Sequence, residues 1–194
     1  MNFLAHAFLA PASDEALVGA FLGDFVKGPL ANRFAPPLEH AISLHRSIDA
    51  FTDAHPLTLR SRRRISPLRR RYAGILIDVF YDHVLARTWS EYSDEALAQF
   101  AQRVYRTMLR EHPRLPPRLQ RMLTLMVEED WLTHYRDPAA IERALQRIAR
   151  RLSRPNPIAD AIVELSDNRC GFEEDFRAFF PQLIAHASAK SAAR

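Results

Sequence analysis

The chain has 194 residues, of which 47% are hydrophobic and 26% are charged, and its formal net charge is +4. This size and composition are typical of one globular domain, so we expect residues 1–194 to form a single domain. The single cysteine excludes an internal disulfide framework and a thiolate-rich metal site. The modest positive charge does not by itself indicate a nucleic-acid binder, and no apolar run is long enough to cross a membrane. We therefore predict a cytoplasmic protein that binds neither nucleic acid nor membranes.

Helical periodicity runs along nearly the whole chain, and the 13 prolines mark many of its breaks, whereas only 5 glycines are present. Capping residues and prolines predict helices over approximate residues 1–10, 13–27, 36–52, 56–71, 71–89, 93–110, 117–135, 138–152 and 157–187. The segment 56–71 is expected to form one helix or two short ones. The sequence thus predicts an all-α helical bundle.

Ionisable residues lie on the apolar faces of several of these helices. They are His6, Asp24, His45, Asp49, Asp53, Asp78, Asp82 and His83. Because a buried unpaired carboxylate is costly, each needs a cation, a hydrogen-bond network or solvent. Imidazole and carboxylate ligands without thiolates suit Mn²⁺, Mg²⁺ or Fe²⁺, with Zn²⁺ as a further alternative, and helix bundles build metal sites from inward-facing side chains. The spacing alone also allows buried ion pairs with Arg46 and Arg87.

Five strings along the chain are distinctive in combination. They read Asn-Phe-Leu-Ala-His at residues 2–6, Gly-Asp-Phe-Val-Lys-Gly at 23–28, His-Arg-Ser-Ile-Asp-Ala-Phe-Thr-Asp at 45–53, Asp-Val-Phe-Tyr-Asp-His at 78–83 and Trp-Leu-Thr-His-Tyr-Arg-Asp at 131–137. In this order they resemble the bacterial acyl carrier protein phosphodiesterase family, from residue 1 to approximately residue 190. The resemblance implies an all-α, distantly HD-like fold and a Mn²⁺-dependent phosphoric diester hydrolase. The implied reaction removes 4′-phosphopantetheine from a serine of holo acyl carrier protein.

The resemblance and the spacing together suggest roles for individual residues. The metal ligands are expected among His6, Asp24, His45, Asp49, Asp82 and His83. The expected catalytic residues are Asp53, as a general base or a group that orients water, and Asp78, as a carboxylate that orients a ligating imidazole. Arg46 is expected to bind the phosphate, with pairing to a nearby carboxylate as the alternative.

Seven arginines lie within residues 60–71, directly after a predicted turn. On composition alone, a solvated basic face is the favoured interpretation. Because acyl carrier proteins are acidic, the resemblance instead implies that this Arg-rich patch, and Arg62, Arg63 and Arg64 in particular, binds the carrier protein.

Two other functions remain open at this point. The first is an HD-like phosphohydrolase that acts on a small nucleotide or another phosphate ester. The second is a non-catalytic helical adaptor, whose buried aspartates and histidines merely pair with arginines. Metal binding separates the adaptor from both hydrolases, because only the hydrolases need an ion.

Overall fold

A computed structural model of the protein describes residues 1–192, and this part of the chain is helical without β-strands. The predicted bounds of the domain also include residues 193 and 194, which lie outside the described residues. The ten helices are α1 Phe3–Leu9, α2 Asp14–Leu22, α3 Pro36–Ala54, α4 Pro56–Arg64, α5 Ala73–Arg87, α6 Leu97–Glu111, α7 Pro117–Glu128, α8 Trp131–His134, α9 Pro138–Arg151 and α10 Ile162–Ala192. The prediction of an all-α fold is confirmed.

Local signals in the sequence explain where several helices begin. The Ser13 hydroxyl accepts the backbone N–H of Ala16 at 3.1 Å and so caps α2. The Asp137 carboxylate accepts the N–H of Ala139 at 3.0 Å at the start of α9. Helices α3, α4, α7 and α9 each have proline in their first turn, where the missing N–H has no helical partner to lose.

The predicted helix over residues 13–27 is too long, because α2 ends at Leu22. The carbonyl of Leu22 accepts the N–H groups of Phe25 and Val26, at 2.8 and 3.0 Å, and so closes a turn. Gly23 lies in this turn against the ring of His45, where a Cβ would overlap the imidazole. Glycine at this position therefore allows the turn after α2 to pack closely against α3.

The predicted helix over residues 117–135 is also wrong in detail, because it is divided at Asp130 into α7 and α8. Asp130 adopts a left-handed conformation with φ of +45°, which residues other than glycine rarely adopt. Its carboxylate accepts the Tyr105 hydroxyl at 3.0 Å, and that hydroxyl accepts the N–H of Leu132 at 2.9 Å. A tertiary contact from α6 therefore stabilises the break, which no glycine or proline marks.

The hydrophobic core lies between α5 and α10, with α3 and α4 packed against α10. The middle of α10 buries a row of aromatic and aliphatic side chains, namely Phe172, Phe176, Phe179, Phe180 and Leu183. Helix α2 packs along α3, and α1 lies against α2 and α5. This arrangement brings α1, α3 and the turn after α2 to one place. No helix within residues 1–192 is long and apolar enough to span a membrane.

Candidate metal and active site

Three ionisable side chains from α1 and α3 meet at one point. His6 Nε2 lies 3.0 Å from Asp49 Oδ1, and His45 Nε2 lies 3.2 Å from Asp49 Oδ2. The two imidazole rings stack with their centroids 3.8 Å apart, and both histidines are buried. We call His6, His45 and Asp49 the His–Asp cluster. Asp24, from the turn after α2, lies at its edge with Oδ1 3.7 Å from His45 Nε2.

The ring of His45 is held in one orientation. Its Nδ1–H donates to the backbone carbonyl of Ala20 at 2.8 Å, because a carbonyl oxygen can only accept. Nε2 therefore faces the two carboxylates of Asp24 and Asp49. A histidine oriented by a backbone carbonyl in this way presents its other nitrogen as a metal ligand.

The charges within the His–Asp cluster are strongly coupled. Burial lowers the pKa of His6 to about 4, so this ring is neutral at pH 7. Burial alone would also lower the pKa of His45, but its hydrogen bonds to Asp24 and Asp49 outweigh burial and raise the pKa to about 9. Burial opposes ionisation of Asp49, yet hydrogen bonds from both histidines hold its pKa far below the usual range. At pH 7 His6 is thus neutral and His45 is charged, and a cation bound at His45 Nε2 would have to displace the proton there.

The His–Asp cluster has the donor set of a divalent metal site. One ligand atom from each of the three residues lies within 4.8 Å of the others. Two imidazole nitrogens and a carboxylate suit Mn²⁺, Fe²⁺ or Zn²⁺. His6 Nδ1 is buried and has no hydrogen-bond partner among residues 1–192, so Asp49 is the only group that this ring contacts through a nitrogen. The exposed Asp24 carboxylate offers a fourth donor at the edge.

The α-amino group of Met1 also lies at the site, although no pattern in the sequence predicts it. Its nitrogen donates to Asp78 Oδ1 at 3.0 Å and lies 3.4 Å from Asp49 Oδ1. Burial would lower the pKa of this amine, but the charges of Asp78 and Asp49 raise it to about 10. The Met1 ammonium therefore bridges the carboxylates of Asp78 and Asp49. Asp78 contacts no imidazole here, so the prediction that it orients a ligating histidine is wrong for this arrangement. A main-chain amine has no side-chain pattern by which a sequence could reveal it.

The structure does not bring Asp82 and His83 into the His–Asp cluster. Asp82 is fully buried, and its carboxylate accepts the N–H groups of Leu4 and Ala5 at 2.7 and 3.2 Å. It therefore caps the first turn of α1, the helix that carries His6, and burial raises its pKa to about 7. His83 donates from Nδ1 to the carbonyl of Tyr135 at 2.7 Å, and burial lowers its pKa.

Asp53, predicted to be catalytic, and Arg46, predicted to bind the phosphate, both contact other groups of this chain. Asp53 is exposed and forms an ion pair with Arg62. Burial raises the pKa of Asp78, and the charge of Arg62 is among the weaker influences that oppose this rise. Arg46 donates from Nη2 to the carbonyl of Val26 at 2.8 Å, so it holds the loop that follows Asp24. Of these groups, only Asp53 exposes most of its charged end to solvent.

The Arg-rich patch is partly a set of structural ion pairs. Arg60 and Arg64 both contact the carboxylate of Asp175, which is fully buried in α10. Arg69 contacts the buried Glu164 at 3.2 Å. Arg63 is exposed and has no ion pair among residues 1–192. The sequence could not separate these roles, because Glu164 and Asp175 lie about a hundred positions further along the chain.

Comparison with known proteins agrees with the resemblance read from the sequence. A family model described as acyl carrier protein phosphodiesterase matches residues 1–183. Proteins named acyl carrier protein phosphodiesterase from Salmonella agona (strain SL483), Salmonella newport (strain SL254) and Salmonella enteritidis PT4 (strain P125109) are each 35% identical over 195 residues. These alignments cover 98% of this chain and 100% of each relative. No solved structure gave a significant match. The chain belongs to the acyl carrier protein phosphodiesterase family.

Proposed function

We propose that this protein hydrolyses the phosphodiester between 4′-phosphopantetheine and a serine of acyl carrier protein. The reaction would use a divalent metal ion held by the His–Asp cluster, and Mn²⁺ is the ion we favour. Membership of the family supports the substrate. The observation that carries the chemistry is the convergence of His6, His45 and Asp49, with ligand atoms within 4.8 Å of one another. Hydrolysis adds water across the P–O bond and yields the serine hydroxyl and free phosphopantetheine.

The roles of the residues follow from their positions. His6, His45 and Asp49 would hold the metal ion, which would neutralise phosphoryl charge and lower the pKa of the attacking water. Ala20 and Asp49 orient His45, while the Met1 ammonium holds Asp49 and Asp78 in place. Asp24, at the exposed edge of the cluster, is the carboxylate best placed to meet an incoming substrate. Asp53 pairs with Arg62 but is exposed to solvent. We therefore propose that its carboxylate orients water.

For the partner, we propose that the exposed part of the Arg-rich patch binds the acidic surface of the carrier protein. Arg63 is exposed on α4 and has no intramolecular ion pair among the described residues. Arg62 lies next to it in the sequence and pairs with Asp53, four residues after Asp49 of the cluster. A positive surface beside the site would raise the association rate with an anionic partner and make it depend on ionic strength.

The test is the mass of holo acyl carrier protein after incubation with the protein, with Mn²⁺ and with EDTA. The proposal predicts loss of the phosphopantetheine mass with Mn²⁺ and an unchanged mass with EDTA. An unchanged mass with Mn²⁺, Mg²⁺, Fe²⁺ and Zn²⁺ would refute the substrate. Bis-p-nitrophenyl phosphate, tested in parallel, shows whether the protein then acts on small phosphate esters.

A further inference from the structure

A cavity of about 410 Å³ opens beside the His–Asp cluster. It lies between the turn after α2 and helices α7, α8 and α9, and Asp24 forms part of its wall. Because Asp24 also pairs with His45, the cavity and the cluster share one carboxylate. A concave space of this size is typical of a site for a small organic ligand.

The floor of this cavity is mostly apolar, and aromatic side chains are prominent in it. Phe3, Ile75, Met122 and Trp131 line it from four different elements. The Trp131 indole is covered on one side by the guanidinium of Arg147, with 4.3 Å from Cζ to the ring centroid. Arg147 is itself paired with Glu129 at 2.6 Å, so its charge is already balanced. The floor therefore suits an uncharged, partly aliphatic chain.

The rim of the cavity is cationic. Arg118 on α7 and Arg151 at the end of α9 are exposed and have no ion pair or hydrogen bond among residues 1–192. They lie close enough that burial and the charge of Arg118 together lower the pKa of Arg151, while the charge of Asp24 acts in the opposite direction. Two guanidinium groups that no carboxylate pairs, with Lys27 in the same cavity wall, form a cationic rim that suits an anion.

We propose that this cavity binds the phosphopantetheine arm of the substrate, with the phosphate between Arg118 and Arg151 and the pantetheine chain along Trp131 and the apolar floor. The inference rests on the proposed function, which supplies the identity of the arm. The arm combines an anion at one end with a flexible, largely uncharged chain, which matches the cationic rim and the apolar floor. Placing the anion beside Asp24 brings the diester to the edge of the His–Asp cluster.

The test measures direct binding of 4′-phosphopantetheine, with tryptophan fluorescence as the readout. Of the two tryptophans, Trp131 lines the cavity and Trp89 is buried in the core. We expect a fluorescence change that the Trp131→Phe variant does not show. 4′-Phosphopantetheine is expected to bind more tightly than pantetheine or inorganic phosphate, because only the whole arm uses both rim and floor.

The decisive variant replaces both rim arginines, Arg118→Gln and Arg151→Gln. It is expected to weaken binding of 4′-phosphopantetheine by about tenfold or more, as expected for lost charge-assisted hydrogen bonds. The matched control, Arg121→Gln with Arg143→Gln, removes two exposed arginines from the same helices but outside the cavity and should bind as wild type does. Equal affinity of the two double variants, or binding no tighter than that of inorganic phosphate, would overturn the inference.

The binding result and the hydrolysis result can be told apart. Tight binding by a protein that never cleaves holo carrier would support the cavity and refute the proposed reaction. Cleavage of holo carrier with equal affinities in the two double variants would keep the reaction and refute the cavity.

Discussion

His6 and His45 stack face to face, with ring centroids 3.8 Å apart, and each directs its Nε2 to a different oxygen of Asp49. The two rings come from different helices, α1 and α3, so tertiary packing brings them together. Two positively charged imidazoles would repel each other at this distance. Burial keeps His6 neutral, with its pKa lowered to about 4, while the carboxylates stabilise the charged form of His45. One carboxylate thereby holds both rings with their ligand nitrogens on the same side.

The Asp49→Asn variant tests that shared carboxylate. Removing its charge should lower the hydrolysis of holo carrier by about 100-fold or more, because both metal affinity and ring orientation depend on it. In thermal unfolding, Mn²⁺ should raise the Tm of the wild type and not that of the variant. The control is Asp14→Asn, a carboxylate of α2 that pairs with Arg110 at the surface. A variant at Asp49 that keeps both activity and the Mn²⁺-dependent rise would contradict this assignment.

The Gly23→Ala variant tests the space that His45 needs. A Cβ at Gly23 would overlap the buried imidazole, so His45 must move away from Asp24 and Asp49. We expect a large loss of Mn²⁺ affinity, measured by calorimetry. Gly19→Ala is the matched control, because its Cβ would meet Ala41 in the same α2–α3 interface without touching the site. If both variants lose stability and metal affinity to the same degree, general destabilisation explains the result and the steric argument fails.

Helical periodicity, capping residues and prolines predicted most of the helices, because these signals act on the neighbouring backbone. The prediction was wrong where a tertiary contact decides the backbone. After α2 the chain closes a turn on the carbonyl of Leu22, and Gly23 in this turn packs against His45 of α3. The break at Asp130 depends on a hydrogen bond from the Tyr105 hydroxyl, and the sequence of residues 117–135 does not predict that contact. Local sequence patterns do not show which distant residues will contact a segment in the folded chain.

Glu164 should make stability depend on pH. Burial would raise the pKa of this carboxyl, but hydrogen bonds from Ser66 and the nearby Arg69 outweigh burial and lower it below the ordinary value of 4.5. A carboxyl with a lowered folded-state pKa stabilises the protein above its unfolded-state pKa, and this stabilisation is lost as the pH falls. Near pH 7, Glu164→Gln should therefore cost about 1–3 kcal/mol of unfolding free energy.

Denaturant unfolding at several pH values checks this prediction. The difference between wild type and Glu164→Gln should shrink as the pH falls below about 4.5. Glu142→Gln, an exposed carboxylate on α9, should match the wild type throughout. A difference at Glu164 that stays constant through this range would show that the loss comes from shape rather than charge.

The Arg63→Gln variant tests the proposed contact with the carrier protein. Because Arg63 is exposed and has no intramolecular ion pair among residues 1–192, its loss should raise KM for holo carrier and leave kcat nearly unchanged. The effect should diminish as salt is added. Hydrolysis of bis-p-nitrophenyl phosphate should be unaffected, since this small diester does not need the docking surface. An equal loss on both substrates would instead place Arg63 at the phosphate.

The residues of the His–Asp cluster could be predicted because ionisable residues interrupt apolar faces, as His45 and Asp49 do one turn apart in α3. Their grouping could not be predicted fully. Asp82 shares the same pattern, yet its carboxylate caps α1. Arg118 and Arg151 lie on polar faces like many other arginines, and only the folded chain places them at one cavity. Sequence spacing indicates which ionisable residues lie on apolar faces. It does not show which of them stay exposed, as Asp24 and Asp53 do, or which of them meet.

The most direct test of the central claim is anomalous diffraction from crystals of the protein grown with Mn²⁺. We expect a manganese peak bounded by His6 Nε2, His45 Nε2 and the Asp49 carboxylate, with Asp24 at its open side. The Asp49→Asn crystals should lack it. A peak at Asp82 or His83, or no peak at the His–Asp cluster in protein that Mn²⁺ activates, would contradict the account.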